Sequence, residues 1–258
     1  DPYKKGFGPF ASEVFRLPYP SNENELDFNN IDFDPNKIAC AVIEPVLGEG
    51  GFIPASKSGM KALEQFCKQN KILLIIDEVQ TGYGRTGSFF AIEQFDVKPD
   101  MITLGKAISG GVYPVSAVLA NDEVMEVIKP GQHGSTFGGN PVAAAVAIAS
   151  LEVVRDEKLA ENSEKLGNLF RRELNGYIRS SKVVNRVRGK GLMNAIIIND
   201  TEDSSTAWDI CVALKENGLL AKPTHGNIIR FAPPLVMNHE QLMDCVSIII
   251  KTLQEFKK

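Results

Sequence analysis

The sequence predicts an α/β protein: a mostly parallel sheet flanked by helices, followed by a smaller α+β unit. Three observations carry that expectation. Short continuous apolar runs alternate with stretches of helical spacing over residues 38–120. Glu44, Asp77 and Lys106 stand at or just past the ends of those runs, where open α/β sheets gather their ligands. After Asn140 the pattern changes to helices interleaved with short strands.

Taken in order, residues 1–36 are rich in Pro, Asn and acidic side chains without periodicity, and read as loop and short turns. Residues 38–44 form a β-rich run, and 58–70 carry helical spacing through Met60, Leu63 and Phe66. Further buried strands are expected at 72–77, 101–104 and 115–120. Apolar throughout, without alternation, these strands predict a sheet covered on both faces. Pro141 opens an alanine-rich helix over 142–154, and a second helix runs from 160 to 177. Strands at 183–187, 192–198, 219–222 and 228–231, with helices at 205–217 and 240–256, complete the second unit. The division falls inside helical sequence, giving residues 1–159 and 160–258 as the two domains. There is no internal repeat or low-complexity tract.

Composition excludes several classes. A net charge of −4 and a pI near 5.5 argue against a nucleic-acid binder, which shows a basic face. No apolar run has the roughly 18 residues of a membrane span. The opening residues have neither the signal-peptide nor the transit-peptide pattern and read like the middle of a protein. Cys40, Cys67, Cys211 and Cys245 form no CxxC pair and are expected as buried free thiols of a reducing compartment, cytoplasm or mitochondrial matrix. Three histidines make a histidine-rich metal site unexpected.

The chemistry concentrates in a few positions. Lys106 follows an apolar strand and precedes Ser109-Gly110-Gly111, where glycine lets backbone approach a ligand. A lysine is ordinarily a solvated surface charge; in a confined site it becomes a nucleophile and proton shuttle. Asp77 ends an apolar strand 29 residues earlier. Its structural reading is a helix cap or salt bridge, and its functional reading is the acid that keeps a pyridine nitrogen protonated. Lysine and acid together are what pyridoxal phosphate chemistry requires. Gln80 is placed to contact a phenolic oxygen of such a cofactor, and Glu78 reads as a structural partner. Glu44 and Glu49 sit on a glycine-rich loop, a weak pattern by itself. Residues 134–140 offer hydroxyl and amide donors before a helix start, suited to a phosphate but also to plain N-capping. Arg230, charged within an apolar strand, needs an anion: a substrate carboxylate, or Glu49 as a structural pair, or each at a different stage. Arg85, Lys190 and His225 read as structural, and Trp208 as a packing residue.

The runs Phe7-Gly8-Pro9-Phe10, Glu44-Pro45, Asp77-Glu78-Val79-Gln80-Thr81-Gly82, Leu104-Gly105-Lys106-Ala107, His133-Gly134-Ser135-Thr136 and Leu220-Ala221-Lys222-Pro223-Thr224-His225-Gly226 together resemble the class III aminotransferases of fold type I, and among them the ornithine branch. The resemblance covers essentially the whole chain. It implies the later part of a pyridoxal-phosphate-binding large domain plus the small C-terminal domain, and a longer parent protein. It implies pyridoxal 5′-phosphate held by Lys106 as Schiff-base lysine, Asp77 on the ring nitrogen and Gln80 on the phenolic oxygen. Ser135 and Thr136 would reach the phosphate of a neighbouring subunit, making the protein a homodimer. Arg230 would bind the 2-oxoglutarate α-carboxylate, with Glu49 as its gate. The implied reaction moves the δ-amino group of L-ornithine to a 2-oxo acid, so the partners are small molecules rather than nucleic acid or membrane. Sister activities on acetylornithine or 4-aminobutyrate are the nearest alternatives; a non-catalytic dimerisation or binding module is the alternative of a different class.

Overall fold

The computed structural model describes residues 4–22 and 24–256; residues 1–3 and 23 of the expected opening loop lie outside them. The elements follow the apolar pattern. Strand β1 (Cys40–Ile43) leads through a small hairpin, β2 (Val46–Leu47) and β3 (Ile53–Pro54), into helix α1 (Lys57–Asn70). Strands β4 (Leu73–Asp77), β5 (Met101–Leu104) and β6 (Ala117–Ala120) complete the first sheet, in the order β1-β4-β5-β6. β1, β4 and β5 are parallel and β6 antiparallel.

After a short α2 (Asp122–Met125) come α3 (Pro141–Asp156) and α4 (Leu159–Ile178). Then follow β7 (Val184–Lys190), β8 (Met193–Ile198), α5 (Thr206–Glu216), β9 (Lys222–Thr224), β10 (Ile228–Phe231) and α6 (His239–Glu255). The second sheet is wholly antiparallel, ordered β7-β8-β10-β9.

Local chemistry sets the boundaries. The Ser56 hydroxyl caps α1 by accepting from Gly59 N–H, and Lys71 ends it in the left-handed region. Asn140 caps α3, with Pro141 in its first turn, where the missing N–H costs nothing. Asn238 and Gln241 form a reciprocal capping box at α6. α1 buries Met60, Leu63 and Cys67 against Leu74 and Ile76 of β4; full burial of each aliphatic side chain stabilises by about 1.5–3 kcal/mol. A second core joins α4, α5 and α6 to β8 and β10 through Leu166, Leu214, Ile196, Ile229, Val246 and Leu253.

Four expectations need correction. Covering of the first sheet is complete only at its middle: β4 alternates buried and half-buried, whereas Val42 of β1 and Val118 and Leu119 of β6 are exposed. Of the thiols, all free, only Cys67 and Cys211 are buried; Cys40 is exposed on the outer strand and Cys245 is half-buried. The strand expected at 219–222 begins where that range ends. Residues 217–219 complete the exit from α5, Leu219 N–H bonding to the Leu214 carbonyl, and Leu220 faces solvent. Pro223 then fits β9 because the strand is an edge and its missing N–H breaks no ladder. Trp208 is 63% exposed: α5 packs through Ala207, Ile210, Cys211 and Leu214 instead.

Candidate active site

The carboxyl ends of β1, β4 and β5 deliver Glu44, Asp77 and Lys106 to one region. Asp77 is the last residue of β4, and its Oδ1 accepts the Val79 N–H at 2.9 Å, which fixes the carboxylate as the chain turns. Lys106 opens a 3₁₀ turn, Lys106–Ser109, after Gly105. Its φ of 46° is unfavourable for a side-chain-bearing residue, and the Ser150 hydroxyl holds the turn through the Ala107 carbonyl at 3.1 Å. Lys106 and Gln80 line one cavity of about 200 Å³ together with Phe52, Val79, Tyr83 and Ala232. Phe52 and Tyr83 also have positive φ, 58° and 57°. Such strain concentrates where geometry matters more than local comfort.

Glu44 and Gly48 lie next to Gln80. Glu44 Oε2 accepts the Gly48 N–H at 2.9 Å. Burial pushes the Glu44 carboxyl above its ordinary range. The Gly48 N–H opposes that, Asp77 adds to it, the Lys106 ammonium opposes it and Glu49 adds to it. A Cβ on Gly48 would lie 1.5 Å from Gln80 Oε1 and 3.1 Å from Glu44 Oε2, so a side chain here would push Gln80 out of its present position. Glu78 points into the core beneath. It accepts from the Thr81 hydroxyl and, at 2.8 Å, from the Ile92 N–H, a structural partnership in which burial again raises the carboxyl.

Arg230 comes from the second sheet. Its side chain is 5% exposed and donates to Glu49 Oε1 at 2.9 Å, to Glu49 Oε2 at 3.2 Å and to the Gly48 carbonyl at 3.0 Å. The guanidinium carbon lies 5.3 Å from the centre of the Phe52 ring, a cation–π contact with a wall of the cavity. Glu49 is 50% exposed on the other side. Arg85 crosses the same region as a structural residue, donating to the carbonyls of Leu192 and Pro233. Ser135 and Thr136 are not brought to this cavity. They are exposed on the loop before α3, where the Ser135 hydroxyl accepts the Gly138 N–H at 2.9 Å.

The family profile "Aminotransferase class-III" matches residues 1–253. The chain belongs to the class-III aminotransferase family. Within the family, it is 51% identical over 249 residues to the mitochondrial ornithine aminotransferase of Drosophila melanogaster, covering 96% of this chain and 56% of the relative. It is 47% identical over 256 residues to the ornithine aminotransferase of Plasmodium falciparum isolate 3D7, covering 98% of the chain and 60% of the relative. The chain thus spans little more than half the length of these class-III relatives. Among solved structures it superposes on an acetylornithine aminotransferase from Elizabethkingia anophelis with a TM-score of 0.83 and 61% identity, covering 86% of this chain and 58% of that one. Against Plasmodium falciparum ornithine delta-aminotransferase the TM-score is 0.81 at 49% identity, with 85% and 57% covered.

Sequence reasoning pointed to Lys106, Asp77, Gln80, Glu49 and Arg230 and missed Gly48, Phe52 and Lys222 as neighbours of the site. Gly48 and Phe52 sit beside Glu49 in the glycine-rich loop that carried the signal. Lys222 stands opposite Arg230 on the next strand, a relation that needs the register. Among the described residues no helix is long and apolar enough to cross a membrane.

Proposed function

We propose that the full-length protein is a pyridoxal-phosphate-dependent ornithine δ-aminotransferase, converting L-ornithine and 2-oxoglutarate to glutamate 5-semialdehyde and glutamate by a ping-pong route. The donor set fits the cofactor: an amine, a carboxylate and a carboxamide converge at the carboxyl ends of parallel strands beside a cavity of about 200 Å³. Lys106 would hold the cofactor, Asp77 its ring nitrogen and Gln80 its phenolic oxygen. When bound, pyridoxal phosphate supplies a sink for the electron pair released as a C–H bond next to the amine breaks. Lys106 Nζ is the base that takes that proton, and Asp77 keeps the ring nitrogen protonated. Ser135 and Thr136 are free to serve the phosphate site of a second copy, which makes a homodimer the working assembly. Free thiols suit the cytoplasm, our first choice of compartment. The mitochondrial matrix is the alternative, supported by the mitochondrial description of the Drosophila relative.

The Glu49–Arg230 pair carries the ornithine reading. A bare arginine beside the cavity would seize the α-carboxylate of any amino acid and present its α-amine. With Glu49 occupying the fork, ornithine is left to present its δ-amine. In the second half-reaction the 2-oxoglutarate carboxylate takes Arg230 in place of Glu49.

Acetylornithine is the second reading, because the Elizabethkingia anophelis structure, 61% identical, is described as an acetylornithine aminotransferase. Absorption spectra of the full-length protein with pyridoxal phosphate distinguish the two. L-ornithine is expected to abolish the visible cofactor band in wild type, and Lys106→Ala to lack that band from the start. A band that ignores ornithine but answers acetylornithine or 4-aminobutyrate moves the protein to the sister activity. A wild type with no visible band returns it to the non-catalytic module.

A further inference from the structure

Arg230 and Lys222 are directly opposed in the antiparallel pairing of β10 with β9. Two cations so placed repel each other, and Glu49 answers both. Its Oε1 lies 2.9 Å from Arg230 Nη1, and its Oε2 lies 3.2 Å from Arg230 Nη2 and 3.8 Å from Lys222 Nζ. The Thr224 hydroxyl donates to the Glu49 carbonyl at 3.2 Å, so the acid's own backbone is moored to β9.

The two cations are unequal. Arg230 is buried and stacked on Phe52, whereas the Lys222 side chain is 67% exposed on a flexible stem. Glu49, half in water, can turn from one to the other without moving its mooring. A substrate carboxylate arriving at Arg230 displaces Glu49 from the guanidinium, and Lys222 Nζ, already 3.8 Å from Glu49 Oε2, is a cation within reach of the displaced acid.

We propose that Lys222 is a positioning residue that receives Glu49 when a substrate carboxylate takes Arg230. The proposal rests on the aminotransferase reading and adds the place where the gate goes when it opens. Lys222 is not among the residues that line the cavity holding Lys106 and Gln80.

The test is calorimetric binding of glutarate, an unreactive dicarboxylate, to the full-length protein with its cofactor, alongside the two half-reactions. Lys222→Gln is expected to weaken glutarate binding two- to fivefold at low salt, the range an exposed ion pair supports. The 2-oxoglutarate KM should rise in step, while the ornithine half-reaction changes less. Lys222→Arg should restore binding. At high salt, where exposed charges are screened, wild type and Lys222→Gln should converge. Equal glutarate affinity at low salt overturns the proposal, as does a deficit that survives high salt or resists Lys222→Arg, since either marks a role in edge-strand packing. A wild type that reacts with ornithine while Lys222→Gln binds glutarate normally removes only Lys222. A wild type that neither reacts nor binds glutarate overturns the functional reading and this proposal with it.

Discussion

Arg85 reaches from the first sheet's side towards the second, and Arg230 reaches back. Both are sheltered from solvent, yet they hold their targets differently. Arg85 donates to two main-chain carbonyls, Leu192 at 3.2 Å and Pro233 at 2.6 Å. Burial without a facing anion lowers its pKa to about 10. Its own carbonyl accepts from Leu192 N–H and the Ser163 hydroxyl, and Gly191 wedges in beside it, where a Cβ would lie 2.5 Å from the Thr86 carbonyl carbon. Arg230 has one carbonyl and a half-exposed carboxylate, and its Nε has no partner among the described residues. Main-chain acceptors locked in packed turns have nowhere else to go; a carboxylate at the water's edge does. The Arg85 joint is therefore a fixed pivot between the sheets and the Arg230 joint an exchangeable contact.

The largest expected effect lies in the exchangeable contact, and it is kinetic. Arg230→Met removes the fork that the proposed function assigns to the oxo acid and, on that proposal, should lower kcat/KM for 2-oxoglutarate by about 3–4 kcal/mol of transition-state stabilisation. The fold should lose about 1–2 kcal/mol, because the Gly48 carbonyl loses a buried donor while the abandoned Glu49 is already half in water. Stopped-flow half-reactions and urea midpoints on the same samples separate the two quantities. A loss of stability matching the kinetic loss would make Arg230 a second pivot and erase the contrast.

Arg85→Met should do the reverse. It strips the donors from two part-buried carbonyls, at a cost of about 2–3 kcal/mol in unfolding free energy. Both half-reactions should then fall together, in proportion to the folded fraction. A variant of normal stability that is selectively slow towards one substrate would place Arg85 in the chemistry instead.

This division of labour was only partly legible in the sequence. β5 and β10 have the bounds that their apolar runs predict, because turn-forming residues punctuate both ends. Asp77 and Lys106 were visible because a charge at the end of such a run is conspicuous. The partners that define their surroundings were not. That Gly48 leaves room for Gln80, which is 32 residues away in sequence, emerges only after β1 and β4 pair. Phe52 announces nothing until Arg230 lies on its ring. Lys222 becomes relevant through strand register, in a segment whose start the apolar pattern placed too early. Trp208 misled because helical periodicity says that a helix has two faces and not which residue is left outside.

The contrast extends to carboxylates, and acid titration sharpens it with the smallest of these effects. Glu64 of α1 is the fixed counterpart of Glu49: 5% exposed, it accepts from Lys68 Nζ at 2.8 Å and Lys98 N–H at 3.0 Å, with Lys61 Nζ at 3.0 Å. Burial alone would raise its pKa; these donors more than offset that and hold it at about 2, against an ordinary value of 4.5. Because the folded value is the lower one, the unfolded chain binds more protons between those limits. The stability Glu64 contributes is complete above pH 4.5 and is lost as pH falls towards 2. Glu64→Gln should therefore cost about 1–2 kcal/mol near neutrality and progressively less in acid. Urea unfolding at about pH 6 and about pH 3 measures the difference between wild type and variant. A gap that does not narrow in acid would mean that Glu64 acts by packing rather than by charge. Fixed carboxylates in this molecule would then be recognisable only by their donors, and the exchange proposed for Glu49 would rest on its exposure and on its contact with Lys222.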